Sequence, residues 1–382
     1  MSLRASAVLS RAPLACFVVM GMLWGTLAAL LPDLQARFGL GDGMLGVMLL
    51  LTSVSGVVVM LAAPLAAGWL GAAALPMAAV AMGLAFATPA LAGGVAGFAL
   101  AMLAIGAASG FIDVMMNARV STIEAAQARP LMNLNHGAYS FAYAGGAALT
   151  GLARGAGVGP GTILVLAGSV AVLLAAVSLE RGAAIGADRR GAVARGGGTL
   201  GAVTLLGGTV ILVAYFAESA VEAWSALHIE RTLGGSPAQG ALGPAMLGLT
   251  MGIGRLAGQG LAARIAPGRM MRAGLMLAAA GAAVAVLAPA PAVAWAGFAV
   301  LGLGVSVVAP CAMALVGAAA PEARAAAIAR ASAVAYAGFF IGPPLLGGVS
   351  DLAGLRAAFA VVVVILVAAL PLIGLLVRRA AR

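Results

Sequence analysis

Apolar runs of about 20 residues return again and again along this chain, separated by short arginine clusters and Gly/Pro breaks. A run of that length spans the hydrocarbon core of a bilayer. Backbone inside hydrocarbon must satisfy its own hydrogen bonds, so each run is committed to helix. Twelve runs are read near residues 12–31, 43–66, 75–93, 95–118, 133–154, 161–179, 200–228, 239–262, 271–288, 293–318, 329–350 and 355–377. Only 8% of the residues are charged, whereas a soluble domain carries about a quarter. The chain is therefore expected to be an all-α, multi-pass membrane protein with the lipid bilayer as its solvent.

The net charge of +10 comes from 21 arginines and no lysine. These lie in clusters between spans and read as topology signals, so no nucleic-acid partner is expected. With the N-terminus inside, 17 arginines fall on or near the cytoplasmic side, and only Arg37, Arg154, Arg231 and Arg356 fall outside it. Cytoplasmic loops carry the basic excess, so both termini are expected in the cytoplasm. The N-terminal apolar run is as long as a full span and reads as the first membrane helix rather than a cleaved signal.

The longest polar segment, ERGAAIGADRRGAVARGGG at 180–198, divides the runs six and six. The expected organisation is a bundle at 1–180, a flexible Arg/Gly-rich cytoplasmic linker at 181–198 and a second bundle at 199–382. The halves echo each other. LQARFGLGDGMLG (34–46) follows the first span and IERTLGGSPAQGALG (229–243) the seventh, while LAAG at 65–68 returns as LAAR at 261–264. Duplication of a six-span unit accounts for this, giving two pseudo-symmetric six-helix bundles.

Twelve spans in two echoing halves joined by a basic loop resemble the major facilitator superfamily, whose fold and alternating-access transport become the expectation. Its loop between spans two and three usually reads G-x-x-x-D-R-x-G-R-R. Here PLAAGWLGAA (64–73) lacks both charges, and the second-half counterpart GRLAGQGLAARIAPGR (254–269) has Gln259 near the expected acid. Arg119, Arg255 and Gln259 are the candidates for a rebuilt cytoplasmic gate. The stretches DVMMNARVSTIEAAQARPLMNLNHGAYSFAYAGG and AESAVEAWSALHIERTLG are similar to a bacterial branch related to the fucose/sugar–proton symporters. That group's acid-x-x-x-Asn pattern is matched by Asp113 and Asn117, which makes Asp113 the protonatable residue by resemblance. The group's acid in the first span is missing beside Trp24.

The residues themselves point to membrane-embedded polar chemistry. Asp113 and Asn117 share one helix face, and an acid in hydrocarbon normally faces the bundle interior, a partner or water. The alternative for Asp113 is a pair with Arg119. Asn133, His136, Ser140 and Tyr143 form one polar stripe, and Tyr215, Glu218, Glu222 and Ser225 form another at the same intervals. Such stripes line either a cavity or a helix contact. Glu218 has no arginine along its own helix and, with Glu222, is a candidate for taking and releasing a proton. Glu222 could equally pair with Arg231 or Arg37. His136 is read as a relay or substrate contact, or else as a hydrogen-bonding core residue, and His228 as interfacial. Trp24 and Trp224 could stack on a sugar ring or simply pack.

No arginine is placed clearly at mid-membrane, which disfavours phosphate esters and dicarboxylates as solutes. Cys16 and Cys311 lack CxxC or His partners, so no metal and no cofactor is expected. With no Walker A loop or nucleophile–base set, the chain does not read as an enzyme. The expectation is a monomeric secondary transporter of the bacterial inner membrane, moving a small, polar, sugar-like solute with protons by alternating access. The rival is drug or metabolite efflux by proton antiport. For that rival GFFIGPPLLGG (338–348) resembles an antiporter motif, but span five has YAGGAALTGL without the proline.

Overall fold

The computed structural model describes residues 3–180, 201–262 and 264–381. The expected linker at 181–198 and the side chain of Gln259 lie outside the described residues. The helices in chain order are α1 (Leu3–Leu9), α2 (Arg11–Phe38), α3 (Asp42–Leu70), α4 (Ala74–Leu91), α5 (Val95–Gln127), α6 (Met132–Gly155) and α7 (Pro160–Leu174). They continue as α8 (Ala202–Leu227), α9 (Pro237–Ala262), α10 (Pro267–Leu287), α11 (Pro291–Val305), α12 (Val308–Ala318), α13 (Arg324–Ala368) and α14 (Leu370–Ala380).

Proline and glycine set the boundaries. α7, α9, α10 and α11 each open on a proline, whose missing N–H is unneeded in the first turn. α2 ends where Gly39 adopts φ 63° and its N–H returns to the last helical turn, the left-handed stop that glycine takes without penalty.

Nine segments among the described residues are long and apolar enough to cross a membrane. One of them, Ala326–Ala380, has 55 residues, about 80 Å as a straight helix and far more than one crossing needs. It breaks at Gly354, where φ is 81°, and so supplies two spans. The two remaining long helices, α6 and α9, carry too many polar residues to pass on hydropathy alone. Together these make twelve membrane-length segments that match the apolar runs of the sequence. The outward surface is apolar, with Leu61 79%, Leu100 68% and Leu173 73% exposed. In water such a belt would drive association, whereas in lipid it is the solvated face.

The chain forms two compact units, one from residues 3–40 and 47–180, the other from 41–46 and 201–381. In the first, α2 lies against α6 at backbone contact. A Cβ on Gly25 would strike the Tyr143 carbonyl, and one on Gly146 the Met22 carbonyl. In the second, α8 and α13 meet in the same manner, with Gly338 against the Leu212 carbonyl and Gly208 against that of Ala331. Membrane helices lack a hydrophobic drive to associate, so small residues that let backbones approach supply the packing instead.

The four arginines that break the charge rule are all engaged. Arg37 donates to the Ala90 carbonyl (3.0 Å) at the end of α4, and Arg356 to those of Val286 (2.8 Å) and Ala288 (3.0 Å) at the end of α10. Each guanidinium thus caps a helix C-terminus, where unpaired carbonyls and the helix dipole favour a cation. Arg154 forks onto both oxygens of Asp33 at 2.6 and 2.8 Å. Arg231 forks onto Asp42 at 2.6 and 3.1 Å.

Candidate functional site

The second half of α8 is the most enclosed stretch of the second unit, buried on nearly every side from Phe216 to Ile229. Into it the sequence places Glu218, 9% exposed. Its Oε1 lies 3.6 Å from Nη2 of Arg255 on α9, past ordinary hydrogen-bond length but well inside electrostatic range. Glu222, one turn further on, is half-buried and within the field of both Glu218 and Arg255. Among the described residues no hydrogen bond is made to its carboxylate. The cluster is two acids and one guanidinium, so one carboxylate is charge-balanced and the other is not.

This corrects two expectations. An arginine does stand inside the membrane layer, because the guanidinium of Arg255 reaches across from α9 to the middle of α8; a reading along single helices could not see that reach. Glu222 does not pair with the outer arginines either, since Arg231 binds Asp42 and Arg37 caps α4.

In the first unit Asp113 is half-buried on α5. Asn117 Nδ2 donates to its Oδ1 (3.0 Å) and to its backbone carbonyl (2.9 Å), as expected of polar residues one turn apart. Arg119 pairs instead with Glu180, Nε to Oε2 2.7 Å, so the alternative Asp113–Arg119 pair does not form. The stripe on α6 runs from exposed to buried: Asn133 is exposed, His136 half-buried, and Ser140 and Tyr143 buried. The His136 ring meets Phe17 edge-on at 4.9 Å, and Ser140 donates to the His136 carbonyl at 3.1 Å. Tyr143 packs against α2, its ring 6.3 Å from that of Tyr139. Trp24 is half-buried and edge-on to Phe86 at 5.8 Å.

Tyr215 sits against Phe339 at 4.9 Å and Tyr336 at 6.2 Å, an aromatic group whose α13 members the sequence reading missed. Trp224 is fully buried, and its Nε1 has no hydrogen-bond partner among the described residues. Ser225 Oγ is in the same condition. His228 is also fully buried rather than interfacial: Nε2 lies 3.1 Å from the Ala285 carbonyl, with Phe359 at 5.2 Å. It opens a π-helical turn, His228–Thr232, and the widened turn carries its ring into the bundle. π turns concentrate at functional positions in helices.

Asn135 was also missed. It is fully buried, its Nδ2 donating to the Leu131 carbonyl at 2.9 Å and its Oδ1 unpartnered among the described residues. It lies one step off the stripe that drew attention to Asn133. At the outer end of the second unit, Asp42 collects the Arg231 fork and the Ser350 hydroxyl (2.5 Å), while Asp351 accepts from the N–H groups of Asp42 (3.0 Å) and Gly43 (2.9 Å). No group of three or more His, Cys, Asp or Glu side chains suited to a metal exists among the described residues.

Helices of this number, length and pairing define an all-α, multi-pass membrane protein with the fold of the Major Facilitator Superfamily. The family model described as Major Facilitator Superfamily matches residues 206–382. An uncharacterised MFS-type transporter of Yersinia pestis is 29% identical over 354 residues, 92% of this chain and 91% of that protein. Among solved structures, a bacterial homologue of the human lysosomal transporter Spinster, inward-facing and occupied, superimposes with a TM-score of 0.72 at 15% identity, covering 99% of this chain and 98% of that one. A nucleoside transporter, NupG, in a mutant form, gives 0.73 at 11% identity, covering 99% and 100%. The solved structures share the fold of this chain, and the family model matches its second half.

Proposed function

We propose that this chain is a secondary transporter that moves a small polar solute, sugar-like in chemistry, together with protons across the bacterial inner membrane. The observation that carries the reading is the Glu218–Glu222–Arg255 cluster: two acids against one cation inside the membrane layer. An unbalanced carboxylate there costs several kcal/mol, roughly, unless something neutralises it, and a proton is the smallest such species. Loading and unloading that proton would change which conformation is preferred, the requirement for coupling in alternating access.

Asp113, held among the described residues by Asn117, is the corresponding titratable group of the first bundle. Trp24, Asn117, Asn133, His136, Tyr143, Tyr215 and Trp224 are the candidate solute contacts. A hydroxyl-rich solute suits such amides, rings and hydroxyls. The nucleoside transporter among the fold neighbours handles a solute that includes a sugar ring, which agrees with this class. The two bundles would be residues 1–180 and 199–382, both termini cytoplasmic, working as a monomer.

The test is uptake into proteoliposomes under an imposed pH gradient. Accumulation of a radiolabelled sugar or nucleoside driven by inward protons supports the proposal; Asp113→Asn and Glu218→Gln should abolish that accumulation and retain counterflow exchange. Unchanged accumulation in both variants overturns the assignment of the acids. One observation favours a second reading. Arg255 weakens the argument against anionic solutes, and a solute anion moving with more than one proton would register as inward positive current in the same vesicles.

A further inference from the structure

One side of α10 faces outward with helical spacing: Arg269, Arg272, Met276 and Leu287 are exposed, while Met271 and Leu275 between them are buried. α14 has the same build, with Leu375 and Arg378 exposed and Ile373 and Leu376 buried. In a bilayer the apolar part of each outward side is covered by acyl chains. The arginines sit at the ends where the two helices meet. A Cβ on Gly374 of α14 would lie 3.5 Å from Nη2 of Arg272, and one on Gly268 of α10 would lie 2.6 Å from Cγ2 of Val377. Arg378 follows Gly374 by one turn and shares its side of the helix, so three guanidinium groups from two helices gather at one level. Arg379, next in the chain, turns elsewhere: it lines a cavity together with Thr204 of α8 and Val316 of α12.

Among the described residues none of Arg269, Arg272 and Arg378 makes a hydrogen bond or an ion pair, and neither α10 nor α14 contains an acid. Like charges brought together repel. Arg269 also stands in the first turn of α10, where the helix dipole disfavours a cation. A topology signal needs basic residues near this end of the span, not on one groove. The duplicated half does without them: in the register that aligns LAAR (261–264) with LAAG (65–68), Arg269 and Arg272 fall on Ala73 and Pro76. An anion bound from outside the protein would offset both the repulsion and the dipole.

We propose that the groove between α10 and α14 holds one anionic phospholipid, its phosphate on Arg269, Arg272 and Arg378 and its acyl chains along Met276 and Leu375. Guanidinium groups match phosphate oxygens with paired donors, and the long arginine side chain reaches from apolar surface to headgroup level. Basic pockets between membrane helices are where such headgroups dock. The exposed apolar sides that run on from the arginines give the tails a surface, which a free phosphate would not use. The site involves none of the candidate solute or proton-coupling residues.

The experiment titrates the purified full chain in neutral detergent with phosphatidylglycerol, phosphatidylcholine or inorganic phosphate. Thermal stability is followed, and lipid retention is read by native mass spectrometry. Phosphatidylglycerol should be retained and should stabilise the chain to a degree that neither phosphatidylcholine nor inorganic phosphate matches. Arg269→Gln, Arg272→Gln and Arg378→Gln should each weaken its binding about fivefold, the worth of one basic residue at a membrane surface. Arg379→Gln removes an equal charge one residue away, outside the groove, and should leave binding unchanged. Equal stabilisation by phosphatidylcholine or by inorganic phosphate overturns the proposal, and so does a loss in Arg379→Gln as large as that in Arg378→Gln.

Discussion

Arg255 stands 3.6 Å from Glu218 across the α8–α9 contact, with Glu222 one turn further along α8 in the field of both, so two acids share one guanidinium. Both partners are largely shielded, their side chains 19% and 12% exposed. Removing one member of such a pair strands the other in low dielectric, whereas removing both does not. Arg255→Gln is therefore expected to destabilise by about 2 kcal/mol. The double variant Arg255→Gln/Glu218→Gln should recover at least half of that loss. Thermal unfolding of the four proteins in detergent closes the cycle, and strictly additive losses would mean that the two side chains do not act as a pair.

Glu222→Gln separates charge balance from geometry at the same site. It removes the unbalanced carboxylate and keeps the Glu218–Arg255 pair, so stability should hold or rise slightly. Coupling should fail: uptake driven by a pH gradient is expected to drop at least about tenfold, the equivalent of about 1.4 kcal/mol, while solute exchange at equal pH persists. Tracer uptake with and without the gradient measures this. Full gradient-driven accumulation in Glu222→Gln would transfer the coupling role to Asp113 or Glu218.

How far such residues could be read in advance depended on the range of the contacts involved. The spans were legible because lipid imposes a length and a composition on each helix separately; even the Gly354 break falls between two of the twelve apolar runs. The stripes on α6 and α8 were legible for the same reason, since faces follow from spacing within one helix. What stayed hidden lies between helices. Arg255 looked like an inner-end residue until its reach to α8 was seen. His228 looked interfacial because it stands next to a loop, and the π turn that it opens has no clear spacing signature. Asn133 outranked Asn135 on the stripe, although Asn135 is the buried one. Arg119 sits six residues past Asp113, yet its partner is Glu180, 61 residues away.

Asp42 is the hub of the outer cluster, its side chain 3% exposed while that of Arg231 is 49% exposed. The exposed partner is screened by solvent and counts for little by itself. The buried carboxylate, with the Arg231 fork and the Ser350 hydroxyl, counts for more. Asp42→Ala is expected to destabilise by about 2 kcal/mol and Ser350→Ala by about 1 kcal/mol. Asp351→Ala, which uncaps the first turn of α3, should cost about 1 kcal/mol. Denaturation of the purified variants checks the order; equal losses at Asp42 and Ser350 would remove Asp42 from the hub.

Orientation can be tested at the two ends of α10. Ala266 and Ala290 are both exposed and flank this single membrane helix, so they must lie on opposite sides of the bilayer. The native thiols interfere little, Cys16 being fully buried and Cys311 only 7% exposed. The arginine excess puts Ala266, beside Arg264 and Arg269, in the cytoplasm. Ala290, next to the α10 terminus capped by Arg356, then faces outward. In cells with a permeabilised outer membrane, a membrane-impermeant maleimide should label Ala290→Cys strongly and Ala266→Cys only after lysis. The reverse pattern would invert the whole topology and would mean that Arg37, Arg154, Arg231 and Arg356, rather than the other arginines, mark the cytoplasmic side.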